Sequence, residues 1–137
     1  MARVLMLTLV YGPDTVSTAN MMTDIAQGLK AAGHEVTVLT SMPHYNPSAQ
    51  VRTDRKYNAS WWWPVTEASE QGVRVLRVFM PLKRHKVWAR GFDYLLFQFL
   101  TILLGLFFVK RPDVVFVTSP PITLGLSGIL LSRLRGG

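Results

Sequence analysis

At 137 residues the chain is long enough for one compact core and too short for two. Apolar side chains make up 49% against 17% charged, which excludes global disorder, and the absence of cysteine excludes a disulfide scaffold, thiolate metal sites and a cysteine nucleophile. The net charge of +7 lies wholly in the second half, since residues 1–68 carry five basic and five acidic side chains and residues 69–137 carry ten and three, so an anionic partner is favoured.

The opening run Val4-Leu5-Met6-Leu7-Thr8-Leu9-Val10 stops at Tyr11-Gly12-Pro13-Asp14 without a small-residue cleavage site, and reads as a buried strand rather than a signal peptide. Ser17-Thr18-Ala19-Asn20 offers N-cap candidates for a helix to about Ala32, with Met21, Met22, Ile25, Ala26 and Leu29 as its apolar stripe. Gly33 stands where a left-handed C-cap would, and Val36-Thr37-Val38-Leu39-Thr40 is a β-branched second strand. Strand, helix and strand joined by short loops form a parallel βαβ unit, which sets the class as α/β.

Residues 44–70 lack periodicity, contain Pro47, Pro64 and three adjacent tryptophans, and read as an irregular loop. Gly72 to Val78 alternates arginine with aliphatics and reads as a third strand with one wetter face. Tyr94 to Val109 is an almost wholly apolar helix closed by Lys110-Arg111-Pro112. Val114-Val115-Phe116-Val117-Thr118 reads as a central parallel strand, and Ile122 to Leu134 as a further helix.

The first strand-to-helix turn is where α/β proteins hold phosphate, yet Gly12 is the only glycine between Met1 and Gln27, so neither a dinucleotide fingerprint nor a Walker A loop is present. His34, His44 and His85 lack the helical spacing of a zinc pair, and no metal site is expected. A serine elbow of the G-x-S-x-G kind is also missing. His44 lies just past the second strand, at the sheet edge where open α/β proteins bind ligands.

Lys83-Arg84-His85-Lys86-Val87-Trp88-Ala89-Arg90 abuts the apolar run, the pattern of attraction to anionic headgroups with apolar insertion beside it. Lys83, Arg84, Lys86, Trp88, Arg90, Phe97 and Phe99 are the membrane-binding candidates, and residues 83–109 form one basic and apolar unit. The run could span, lie in the interface or be a core helix, because its length is at the lower limit of the ~20 residues that cross a bilayer. Trp61-Trp62-Trp63 could add an interfacial contact or cover the sheet edge. No nucleic-acid module accompanies the positive charge, and nucleic acid is not expected as a partner.

Taken in order, the Tyr11-Gly12-Pro13-Asp14-Thr15 loop, Ala31-Ala32-Gly33-His34-Glu35-Val36-Thr37-Val38, Pro43-His44-Tyr45, Gly72-Val73-Arg74-Val75-Leu76-Arg77 and Arg111-Pro112-Asp113-Val114-Val115 through Thr118-Ser119-Pro120-Pro121 resemble the N-terminal domain of family-4-type glycosyltransferases. These are two-domain enzymes of the GT-B fold, and the likeness extends to members that act on lipid-linked sugars in capsule and exopolysaccharide synthesis. The resemblance implies a Rossmann-like parallel sheet with flanking helices, and retaining transfer of a sugar from a nucleotide diphosphate sugar to a lipid-linked glycan acceptor bound by this domain.

It also implies that no cofactor is used and that the donor is held mainly by a second, C-terminal domain, so residues 1–137 read as a truncated acceptor-side half. Association with the inner face of the plasma membrane from the cytoplasm follows, with residues 94–109 a candidate transmembrane helix. The family's glycine pair in the first loop is replaced by Thr15-Val16-Ser17-Thr18. Pro13, Asp14, Thr18, His44, Tyr45 and Ser119 are the acceptor-side candidates, and none carries a catalytic assignment. The rival expectation is a membrane-associated binding domain without catalysis.

Overall fold

The computed structural model describes residues 1–44, 48–54, 56–57, 65–80, 86–119 and 122–135. The elements are β1 (Arg3–Leu7), α1 (Ser17–Ala31), β2 (Glu35–Ser41), α2 (Ala49–Thr53), β3 (Val65–Glu70), β4 (Val73–Val78), α3 (Val87–Phe107), β5 (Val114–Val117) and α4 (Thr123–Arg135). One sheet runs in the order β3-β4-β2-β1-β5, parallel except for the antiparallel pairing of β3 with β4. This is the expected α/β class with a Rossmann-like sheet.

Strand alternation divides the core between the two faces of the sheet. Val4, Met6, Val36, Val38, Val73 and Val75 meet Met22 and Ala26 of α1 on one face. Leu5, Leu7, Leu39 and Leu76 meet Phe97 and Leu104 of α3 and Leu124 and Leu131 of α4 on the other. Helix α1 ends in a Schellman arrangement, with Gly33 at φ +88 and its N–H donating to Lys30 O while the His34 N–H reaches Leu29 O. The buried stripe of α1 is Ala19, Met22 and Ala26, and Met21 is exposed because it turns off that face.

Four expectations need correction. Residues 44–70 are not one irregular loop, since α2 and β3 fall inside them. β3 escaped notice because Val-Thr-Glu-Ala-Ser-Glu is an edge strand with little apolar content, yet Gln71 and Gly72 at φ 51 and 80 make the tight turn that pairs it with β4. β4 has no uniformly wet face, because Arg77 is fully buried beside Glu70. β5 is an edge strand rather than a central one, and α1 does not reach it, which leaves Val114 and Phe116 exposed.

The fourth correction concerns α3, which begins at Val87, so Trp88 and Arg90 stand on the helix and not before it. A basic first turn does not oppose helix formation once the apolar residues behind it pack on the sheet.

Candidate functional site

In open α/β sheets the carboxyl ends of the strands are where ligands bind. β1 lies between β2 and β5, and its end is tied to both, through the Thr8 N–H to Leu39 O and the Thr118 N–H to Leu7 O, each at 3.1 Å. The loop after β1 is therefore flanked by His44 beyond β2 and by Ser119 beyond β5.

That loop is held from within. Thr8 Oγ1 donates to Val10 O at 2.8 Å, the Asp14 N–H to Tyr11 O at 3.2 Å, and the Gly12 N–H to Thr23 Oγ1 at 3.1 Å, whose own proton goes to Ala19 O. A Cβ at Gly12 would stand 3.0 Å from that hydroxyl, so the smallest residue fits the turn best. Arg77 Nη2 donates to Gly12 O at 2.6 Å and to Glu70 Oε1 at 2.8 Å, with the guanidinium also over the Tyr11 and Tyr57 rings. Burial pushes the Tyr11 phenol up to about 12, and the Glu70 charge adds to the rise.

His44 joins this loop through Ser41. The Ser41 hydroxyl donates to Leu9 O at 2.7 Å, and His44 Nδ1 stands 3.0 Å from both Ser41 Oγ and Met42 O. A carbonyl can only accept, so a hydrogen bond from His44 to Met42 O requires the proton on Nδ1.

Of the acceptor-side candidates, Pro13 and Asp14 sit in the held loop, with Asp14 buried and Pro13 partly so. Thr18 is exposed on the first turn of α1, and Ser119 is exposed on the opposite flank from His44. Tyr45 lies outside the described residues. Sequence reading missed Arg77, Glu70, Ser41 and Thr23. The first pair had a signal, because Glu67 with Arg74 and Glu70 with Arg77 flank the Gln71-Gly72 turn at the same offset.

The membrane-binding candidates divide. Lys86 at the N-cap of α3 and Trp88 and Arg90 on its first turn are exposed, and Phe99 is 59% exposed. Phe97 is corrected to a core residue: it is 0% exposed, on the opposite face of the helix, among the leucines under the sheet. Lys83, Arg84 and the tryptophans at 61–63 lie outside the described residues. α3 is long and apolar enough to cross a membrane by length and composition. Among the described residues no cluster of three or more His, Asp and Glu side chains could hold a metal ion.

A family model described as a glycosyl transferase 4-like domain matches residues 18–136. The chain belongs to this family. No curated protein matches it. In this glycosyl transferase 4-like domain the match begins at Thr18, so β1 and the candidates Pro13 and Asp14 precede the matched residues. His44 and Ser119 fall within them, as do α3 and α4.

Proposed function

We propose that this domain is the acceptor-side part of a glycosyltransferase that moves a sugar from a nucleotide diphosphate sugar to a lipid-linked saccharide in cell-surface polysaccharide assembly. The acceptor hydroxyl approaches the edge formed by the β1 loop, His44 and Ser119. The donor diphosphate is held chiefly by a second domain, a reading supported by the lack of a glycine pair in the first loop. The observation that carries the lipid-linked acceptor is α3, whose Trp88, Phe92, Leu95 and Phe99 line one exposed face, with the exposed cations Lys86 and Arg90 at the start of the helix. Such a face docks the protein on the inner leaflet of the plasma membrane.

Transfer from a panel of radiolabelled nucleotide sugars to extracted lipid acceptor tests the reading, with this chain alone and with a separately expressed donor domain of a related transferase. Label on lipid only when the donor domain is added is the expected result. Label with the chain alone would place the donor site within residues 1–137. No label in either arm, together with retained binding to vesicles, would favour a membrane-associated binding domain without catalysis.

A further inference from the structure

Helix α4 has the same unfinished character as α3. Phe97 and Leu104 of α3 and Leu124 and Leu131 of α4 pack on one face of the sheet, so the opposite faces of both helices point away from it. On those outer faces Trp88 is 92%, Phe99 59% and Leu126 64% exposed, and Phe92, Leu95 and Ile129 are exposed with them.

The two helices run side by side in the same direction. Gln98 Nε2 donates to Thr123 O at 3.0 Å near the start of α4, and a Cβ at Gly105 would lie 2.6 Å from Leu131 Cδ1 further along. At the far end Arg111 Nε donates to Arg135 O at 2.8 Å. The outer stripe of α4 therefore adjoins that of α3 from Phe99 onward, while Trp88, Phe92 and Leu95 extend the apolar surface beyond the start of α4.

Charge decides what this surface fits. Across residues 86–111 and 122–135 the only acidic side chain is Asp93, and it is 3% exposed, on the sheet side of α3. Cations stand at the ends, Lys86 at the start of α3 and Arg133 on the outer face near the end of α4, while Arg90 and Arg135 follow the sheet-side stripes of Phe97 and Leu131. An apolar and aromatic centre with cationic ends and no exposed carboxylate matches an anionic bilayer surface, where long basic side chains reach the headgroups while rings enter the acyl boundary.

We propose that α3 and α4 together form a platform that lies flat in the headgroup–acyl boundary of an anionic membrane and holds the sheet parallel to it. α3 does not span in this arrangement, because its Phe97, Thr101 and Leu104 side is committed to the protein core. The carboxyl edge of the sheet then opens sideways at the membrane surface, with Lys86 and Arg90 at the junction. The proposal rests on the membrane reading above and adds a second helix and an orientation to it.

The absence of cysteine in the chain makes the test direct. Single-cysteine variants Phe92→Cys, Phe99→Cys, Leu126→Cys and Ile129→Cys, with Asp24→Cys on α1 as control, are labelled with an environment-sensitive dye and with a nitroxide. They are mixed with phosphatidylcholine vesicles with and without phosphatidylglycerol, after circular dichroism has checked their folding. The expected result is a blue-shifted, brighter dye at all four outer positions only with anionic vesicles, and no change at position 24. Nitroxide depths at 92 and 99 should agree within a few ångströms, at roughly 5–10 Å into the boundary.

A difference of about 10 Å between those depths, the axial rise of seven residues, would mean a spanning helix and overturn the platform. Labels on α4 that stay in water while those on α3 enter lipid would overturn it too. A dye response without vesicles that grows with protein concentration would make the face a contact between copies, against the proposal. Failure of the unlabelled protein to float with anionic vesicles would end the membrane reading itself and leave the transfer assay to judge the enzymatic one.

Discussion

Arg77 Nη2 reaches back across 65 positions to the carbonyl of Gly12, at 2.6 Å, and so binds the end of β4 to the loop after β1. The same nitrogen meets Glu70, while Nε and Nη1 are buried without a hydrogen-bond partner among the described residues. A fully buried guanidinium with one carboxylate depends heavily on it, because removing one member of a buried pair leaves the other's charge uncompensated.

Glu70→Gln should therefore cost about 2 kcal/mol or more in unfolding free energy. Glu67→Gln should stay within about 1 kcal/mol, since the Arg74 pair it breaks is far more exposed. Urea denaturation of both variants measures the contrast, and equal losses would contradict the buried-pair account.

The Tyr11 phenol adds a dependence on alkaline pH. Its folded value, about 12, lies above the ordinary 10.0, so the contribution is fully present below pH 10 and is lost as pH rises toward 12. The loss approaches about 2–3 kcal/mol at most. Stability between pH 9 and 11.5 should fall more steeply in the parent than in Tyr11→Phe, and phenolate absorbance should show one of the four tyrosines titrating late.

Two helical glycines should respond oppositely to alanine. Gly91 has nothing within 4 Å of its missing Cβ, so Gly91→Ala should stabilise by up to about 1 kcal/mol through helix propensity. At Gly105 the added carbon would press on the buried Leu131, and Gly105→Ala should cost about 1–3 kcal/mol. Thermal melts of the two variants suffice.

The tautomer of His44 is open to direct observation. Long-range nitrogen–proton NMR correlations at pH 8 should show Nδ1 protonated, as the Met42 carbonyl requires. Ser41→Ala should cost about 1–2 kcal/mol by leaving the Leu9 carbonyl without its donor, and should raise the acceptor KM more than it lowers kcat if His44 serves acceptor binding.

The parts of the fold legible in the sequence were those written in local pattern. β1, α1 with its Gly33 cap, β2 and the apolar α3 each carry their period and end signals within a few residues. β3 lacked such a signal because its pairing with β4, more than its own side chains, makes it a strand. Phe97 and Phe99 are chemically alike and two positions apart, and only packing against the sheet separates a core residue from a surface one. Arg77 looked like a solvated charge because strand alternation gives the face and says nothing of what covers it. His44 was legible as an edge residue, whereas its tie to Leu9 through Ser41 depends on two strands lying side by side.

The two margins of the sheet differ in what they offer a stranger. β3 carries Glu67 and Glu70 and is guarded against pairing, whereas among the described residues the outer side of β5, Val-Val-Phe-Val, has no strand partner and presents a row of backbone donors and acceptors. Sticking through backbone pairing is thus one-sided: two copies that meet along β5 use up each other's open margin and stop at a pair, where two unguarded margins would propagate into a filament. Light scattering that climbs past the mass of a dimer would show that β5 is not the margin responsible, and Phe116→Lys should hold the protein monomeric if it is.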